Sequence, residues 1–264
     1  MVYMKKSILI VLLAVSVSLT GCLEITQELT VAKDGSGTLS STTDMSQVMS
    51  MFIQMAGEKL GDQKLNMDTT IRFKSLLDSI KDMSPANKEL LKDGLVHVTM
   101  KMDDNKYMIN SSVPFKKMGD VEKINQAMQK EVNGKFLDNA MKEAMKENKG
   151  LGDSSMMNSG QATPQMSLPE NYFTLNCKDG VISRTANKEK MKSLADDETL
   201  NQMKQMSSMG APLKTNLVIN LPRPAKKVEG KNVKLSDDKK KLTIENELND
   251  LYDDPSLYEF KVEY

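Results

Sequence analysis

The stretch LEITQELTVAKDGSGTLSSTT, residues 23–43, decides the fold. Apolar side chains recur at nearly every second position from Leu23 to Val31, a pattern typical of a strand with one buried face. Lys33 to Gly37 then supplies an aspartate and two glycines, which suit a tight turn between strands. Alternation resumes at Leu39, so the stretch predicts a β-hairpin.

The same alternation returns along the rest of the chain, and segments with the apolar spacing of helices lie between the strands. Short turns between consecutive strands favour antiparallel pairing, and amphipathic helices need a sheet face to cover. The sequence therefore predicts an α+β fold, a mainly antiparallel sheet of hairpins with helices packed on one face. The main predicted strands are 95–102, 107–113, 173–177, 181–185, 213–221, 232–235, 242–244 and 258–264. The main predicted helices are 45–61, 85–94, 120–145 with an interruption at Asn133-Gly134, and 187–208 with a candidate break at Asp196-Asp197.

An export signal precedes the hairpin. Lys5 and its lysine neighbour give a positive start, an apolar run follows at residues 8–17, and Leu-Thr-Gly-Cys occupies residues 19–22. The run is too short to span a bilayer as a helix. Leu-Thr-Gly-Cys resembles the lipobox of bacterial lipoproteins, in which the cysteine is acylated and the chain is cut before it. This resemblance implies cleavage between Gly21 and Cys22 and lipidation of Cys22; a plain signal peptide with a chance cysteine is the alternative.

The anchor implies a location and a set of partners. Several acyl chains hold a protein firmly, at about 0.8 kcal/mol per buried methylene. Leu23 follows the cysteine, where aspartate would mark retention at the inner membrane in the best-known Gram-negative rule, so we expect an outer-membrane, periplasm-facing lipoprotein. We expect the membrane, and an envelope protein or lipid, as partners. The chain carries 36 basic and 36 acidic side chains, so no nucleic-acid partner is predicted.

Composition also divides the chain. Residues 148–169 are rich in Gly, Ser, Asn, Gln, Pro and Met and have no apolar period, which is typical of a flexible linker. We therefore predict a signal peptide at 1–21, an N-terminal α+β region at 22–147, the linker at 148–169 and a C-terminal α+β region at 170–264. Whether the two regions form one domain or two stays open at this point.

Residues suited to catalysis are few. His97, the single histidine, falls on the polar face of its predicted strand, so a solvated side chain is favoured over a proton shuttle. Cys177 is in phase with its apolar neighbours, which favours a buried thiol over a redox or metal-binding one. Paired aspartates fall at predicted turns, where aspartate is common. Nucleophile-elbow, Walker and His-Glu-x-x-His motifs are absent from the sequence, so we predict neither enzymatic activity nor a cofactor. The aspartate pairs are Asp103/Asp104, Asp237/Asp238 and Asp253/Asp254.

Methionine is abundant, with 22 residues in the chain. Thioethers bind soft ions such as Cu(I) and Ag(I), and Met203, Met206 and Met209 share one face of their predicted helix. Methionine is also an adaptable core residue, so we predict no metal site here. Two alternatives remain: a periplasmic Cu(I)- or Ag(I)-binding protein, and a carrier whose methionine-bearing helices line a cavity for a lipid or hydrophobic ligand.

Two stretches resemble known lipoproteins. The Lys-Asp-Gly-Ser-Gly hairpin, followed by Asp44-Met45-Ser46, resembles lipoproteins of Bacteroidota in which such a hairpin follows the lipidated cysteine and leads into a helix. Residues 217–264 are similar to the α+β domain of LppM-type lipoproteins, for which lipid binding has been proposed. The resemblance implies an envelope lipoprotein and assigns no functional residue. We therefore expect a non-enzymatic binding or structural module that acts in envelope maintenance.

Overall fold

A computed structural model of the chain describes residues 23–47, 49–50, 66–77, 80, 83–128, 168–178, 180–208 and 212–264. The signal peptide, Cys22, most of the predicted helix 45–61 and residues 129–167 lie outside these ranges. The described part contains twelve strands and six helices. The strands are β1 Leu23–Val31, β2 Gly37–Asp44, β3 Asn66–Arg72, β4 Leu95–Lys101, β5 Lys106–Phe115, β6 Phe173–Lys178, β7 Val181–Ala186, β8 Leu213–Asn220, β9 Lys227–Glu229, β10 Val233–Leu235, β11 Lys241–Glu247 and β12 Phe260–Glu263; the helices are α1 Phe73–Leu77, α2 Pro85–Leu91, α3 Met118–Ala127, α4 Lys188–Met191, α5 Glu198–Ser208 and α6 Leu248–Asp253.

The strands form two sheets. The large sheet has eight strands in the order β10-β11-β8-β1-β2-β5-β4-β3, and the small sheet has four in the order β6-β7-β12-β9. Every pairing is antiparallel except that of β1 with β8, which is parallel. The prediction of an α+β fold with a mainly antiparallel sheet of hairpins is confirmed.

The hairpin at residues 23–43 lies near the middle of the large sheet, and its turn has the chemistry that the sequence indicates. Asp34 Oδ1 accepts hydrogen bonds from the Ser36 N–H at 3.0 Å and the Ser36 hydroxyl at 2.6 Å. Gly35 has a φ of +82°, which side chains rarely adopt. A Cβ at Gly37 would lie 1.9 Å from the Thr30 carbonyl oxygen, so only glycine fits there.

The two predicted regions contribute to the same sheet. Residues 22–147 supply β1 to β5 of the large sheet, and residues 170–264 supply β8, β10 and β11. The last two residues of the predicted linker belong to this fold as well. Leu168 packs against the core, and Pro169 is buried at the start of a 3-10 turn that runs to Tyr172.

The core lies on one face of the large sheet. Along β4 and β5 the side chains of Val96, Val98 and Val113 point into it, while alternate positions point outward. Helices α1, α2 and α3 and the small sheet cover this face together and share one large cluster of buried side chains. A smaller cluster, with α5 and α6, forms at the end of the sheet where β1 begins. It contains Leu23, Ile25, Tyr172, Phe173, Leu194, Leu200, Leu213, Leu248, Leu251 and Tyr258.

Several local details differ from the sequence predictions. Helix α3 begins at Met118 and not at Asp120, because Lys117 in extended conformation is its N-cap residue. Helix α6 was not predicted, since its six residues are too few to show a period; a capping box between Glu247 and Asp250 starts it. Strand β9 has three residues and was not predicted either. None of the described helices has the length and apolar character needed to cross a membrane.

Candidate functional site

Leu23 is fixed firmly in the large sheet. Its N–H donates to the Pro212 carbonyl oxygen at 3.1 Å, its side chain is 8% exposed, and it pairs with Leu213 of β8. Ile25, two residues on, is 1% exposed. Because Leu23 directly follows Cys22 in sequence, no intervening residue separates the predicted lipidation site from the sheet. The end of the sheet where β1 begins is called the anchor end below.

A polar cleft of about 520 Å³ lies between α3, β6 and α4. Four carboxamide side chains line it, those of Asn125, Gln126, Asn171 and Asn187, and it is called the amide cleft here. A carboxamide both donates and accepts hydrogen bonds. A concave surface with several such groups suits a small ligand that carries hydroxyl or amide groups. The remaining lining residues are Glu122, Tyr172, Phe173, Thr174, Leu175, Lys190 and Ser193.

Local structure holds these side chains in place. Asn187 caps α4, since its Oδ1 accepts from the backbone N–H groups of Glu189 and Lys190, each at 3.2 Å. Gln126 Nε2 donates to Glu122 Oε1 at 3.2 Å along α3. Asn171 differs: its Oδ1 is buried and has no hydrogen-bond partner among the described residues. A buried acceptor without a partner costs about 1–3 kcal/mol.

A buried arginine lies behind the amide cleft. Arg184 on β7 is 4% exposed, and its Nε donates to the Tyr258 carbonyl oxygen at 2.6 Å. Its guanidinium carbon lies 5.5–5.6 Å from the ring centroids of Phe173, Tyr258 and Phe260. The rings of Phe173 and Tyr258 stack on each other at 5.0 Å. Aromatic faces therefore enclose a cation that water does not reach.

Glu170 is the buried acidic side chain that interacts electrostatically with Arg184. It is 6% exposed, and its Oε2 has no hydrogen-bond partner within the described part of the chain. Burial raises the pKa of Glu170, and the positive charge of Arg184 opposes that rise. Glu170 and Arg184 also line a narrow cavity with Gln27 and Asn125, and this cavity shares Asn125 with the amide cleft. Glu170 and Asn171 belong to the same 3-10 turn, Pro169–Tyr172.

His97 lies on the polar face of β4, as predicted. Its Nε2 is 2.9 Å from Asp68 Oδ1, and its Nδ1 is 2.8 Å from the hydroxyl of Thr70 on the neighbouring strand β3. Asp68 Oδ2 also accepts from Lys101 Nζ at 2.9 Å, and this contact lowers the pKa of Asp68. Because these groups bond to each other across two exposed strands, they form a surface network rather than a catalytic cleft.

Cys177 is buried, which confirms the prediction for that thiol. It is 6% exposed on β6, and burial, with a smaller effect of the Glu122 charge, raises the pKa of the thiol to about 12. The thiolate is the form that attacks substrates and binds metals, and at neutral pH Cys177 is almost wholly protonated. Its environment is that of a core residue.

The aspartate pairs lie at turns, as predicted. Asp103 and Asp104 form the 3-10 turn between β4 and β5, and Asp238 stabilises the β10–β11 turn by accepting from the Ser236 hydroxyl at 2.6 Å. Asp253 ends α6, and Asp254 caps the 3-10 turn that follows. The carboxylates of Asp238 and Asp254 therefore have structural partners. Across the described residues, no three His, Cys, Asp or Glu side chains are grouped as metal ligands.

The methionines of the alternative metal site are described only in part. Met203 lies on α5, where it is half-buried and packs against the smaller core cluster. Met206 lies on the same helix, but its side chain, like all of Met209, is outside the described part. Met67, Met100 and Met118 are each at most 5% exposed in the core. The soft-metal alternative stays a prediction.

The amide cleft, Glu170 and Arg184 were not predicted. Asparagine and glutamine at these positions show no period, and the cleft brings together side chains from both sides of residues 129–167. One signal for Arg184 exists, since it is in phase with buried Ile182 on β7. Comparison of the chain with protein-family models, with curated proteins and with solved structures finds no match.

Proposed function

We propose that the protein is a lipid-anchored, periplasm-facing module of the outer membrane that acts by binding and not by catalysis. The observation that carries the proposal is the position of Leu23, which is buried in the large sheet directly after the predicted lipidation site. An acyl group on Cys22 would then hold the whole domain against the membrane, because no loop separates the two. A domain held so closely is suited to partners in the envelope.

The amide cleft indicates the kind of ligand. Its carboxamides offer donors and acceptors, and Glu122 and Lys190 add one charge of each sign. Such a surface is complementary to uncharged hydroxyl and amide groups, as in saccharides and peptides. By contrast, the groups suited to catalysis are dispersed: His97 lies on the outer face of β4, and Cys177 is a buried, protonated thiol. These placements support a binding role.

Replacement of the two cysteines tests the anchor. Cells expressing the wild type, Cys22→Ala and Cys177→Ala are labelled with a palmitate analogue and fractionated into membrane and soluble material. We expect label and membrane association for the wild type and for the matched control Cys177→Ala. Cys22→Ala should carry no label and should leave the membrane fraction. Label or unchanged membrane association in Cys22→Ala would contradict the proposal.

A further inference from the structure

A second cleft, of about 490 Å³, lies at the end of the large sheet opposite the anchor end, and it is called the far-end cleft here. Two of the three Lys-Asp-Gly triplets of the sequence meet at it: Lys33, Asp34 and Gly35 come from the first, and Gly180 comes from the third. Gly35 and Gly180 have nearly the same φ, +82° and +80°. Two turns that are distant in sequence thus present one surface.

Two basic side chains line the far-end cleft. Lys33 and Arg223 line it, both are exposed, and neither has an ion-pair partner among the described residues. The Arg223 guanidinium carbon lies 5.5 Å from the ring centroid of Tyr264, an arrangement that orients the guanidinium group. Asp34 is the one acidic side chain in the described lining, and its Oδ1 already accepts two hydrogen bonds from Ser36. An oriented guanidinium beside a lysine is suited to a carboxylate or phosphate.

The backbone leaves room for that group. A Cβ at Gly180 would lie 3.5 Å from Arg223 Nη2 and 3.3 Å from the Tyr264 carbonyl oxygen. Glycine at this position therefore keeps the approach to the guanidinium open. The Gly180 carbonyl oxygen also accepts the Tyr264 N–H at 2.9 Å, which fixes the ring under Arg223.

Charge is distributed unevenly along the molecule. Basic side chains predominate on the exposed turns around the far-end cleft, although Asp237 and Asp238 also lie there. Acidic side chains predominate at the anchor end, although Lys106 and Lys214 also lie there. At about 3.3 Å per residue, the nine residues of β1 separate the two ends by roughly 30 Å. The basic set is Lys116, Lys117, Lys178, Lys239, Lys240 and Lys241, and the acidic set is Glu24, Asp44, Glu247, Asp250 and Asp253.

We propose that the far-end cleft is an anion site for the carboxylates of the cell-wall glycopeptide that faces the anchored membrane. The choice of this polymer rests on the proposed lipid anchor, whereas the anion site itself does not. Lipid phosphates offer similar chemistry, but the headgroups of the anchoring membrane lie at the opposite end of β1. The far-end cleft therefore faces away from that membrane, towards the cell-wall glycopeptide.

Co-sedimentation with purified peptidoglycan sacculi tests the site. The full-length protein in detergent should pellet with sacculi and should lose most of this binding when the sacculus carboxylates are amidated. The variant Lys33→Glu/Arg223→Glu should bind at least tenfold more weakly than the wild type. The matched control Lys106→Glu/Lys188→Glu makes the same change in charge away from the far-end cleft and should bind within twofold of the wild type. Thermal melting verifies that both variants are folded.

Three results would overturn the proposal. One is equal binding by Lys33→Glu/Arg223→Glu and the wild type, and another is undiminished binding to amidated sacculi. The third is release of the protein from sacculi by inorganic phosphate or glycerophosphoglycerol, at constant ionic strength, when an acidic stem peptide does not release it. This result would identify phosphate as the ligand. Cys22→Ala should bind sacculi like the wild type, so failure of the anchor and failure of the anion site are separately visible.

Discussion

Replacement of the buried arginine is expected to be among the most damaging single changes in the described fold. Arg184→Met keeps much of the volume beside the stacked rings of Phe173 and Tyr258 but removes the positive charge that interacts with Glu170. Removing one of two interacting buried charges costs up to about 3–5 kcal/mol. The Tyr258 carbonyl oxygen also loses its donor. We therefore expect the free energy of unfolding to fall by about 4 kcal/mol at pH 7, a large fraction of the 5–15 kcal/mol typical of a domain.

The pH dependence of this loss identifies Glu170 as its source. Burial raises the pKa of Glu170 in the folded state above its unfolded value, and loss of Arg184 raises it further. A group of this kind favours folding when protonated, so its contribution is present at low pH and is lost as the pH rises through the folded pKa. The deficit of Arg184→Met relative to the wild type should therefore shrink from pH 7 towards pH 5.

Urea denaturation of four proteins measures the effect: the wild type, Arg184→Met, Glu170→Gln and the double variant. In the double variant part of the loss should be recovered, because no uncompensated charge remains. Arg223→Met is the matched control, an exposed arginine whose removal should change stability by less than about 0.5 kcal/mol. A decrease in the free energy of unfolding below about 1 kcal/mol for Arg184→Met, or a decrease independent of pH, would show that the interaction of Arg184 with Glu170 does not stabilise the fold.

Three further outcomes follow from local geometry. Gly37→Ala should destabilise the protein by about 1–3 kcal/mol, because its Cβ would overlap the Thr30 carbonyl oxygen, whereas Gly119→Ala, with open space around its Cβ, should be nearly neutral; equal midpoints in urea would contradict this. Cys177 should resist iodoacetamide at pH 8 in the folded protein, since a thiol of pKa about 12 is ionised only about once in ten thousand molecules, and should react after unfolding; labelling of the folded protein within minutes would be inconsistent with that pKa. Asn171→Ala should match or exceed the wild-type melting temperature, because it removes an unpaired buried oxygen, and a large drop would show that the amide has a structural partner.

Local elements of this fold are readable from sequence because their signals are local. Alternation from Leu23 to Val31 and the turn residues that follow determine the first hairpin, and Ser84 before Pro85 marks the start of α2, where its hydroxyl accepts the Asn87 N–H at 3.2 Å. The parallel pairing of β1 with β8 has no such signal, since no turn joins the two strands. For the same reason the division into a large and a small sheet was not predicted.

The candidate sites show the same limit. Their lining residues come from distant segments, and each looks ordinary in its own segment: Asn187 is a helix cap, and Lys33 is a turn residue. Burial of Arg184 depends on rings that β6, β12 and the preceding turn bring together. The sequence could exclude several kinds of catalytic site, but it could not show which polar groups would share a cleft.

The mass of the N-terminal peptide is the most direct test of the proposed lipidation of Cys22. The protein is purified from membranes, digested, and examined by mass spectrometry for the peptide that contains Leu23. If Cys22 carries the lipid anchor, we expect a peptide that begins at Cys22 and carries the added mass of a diacylglyceryl group, with a further acyl chain on its amino group. A peptide that begins at another residue, or one with an unmodified Cys22, would contradict the proposed lipidation.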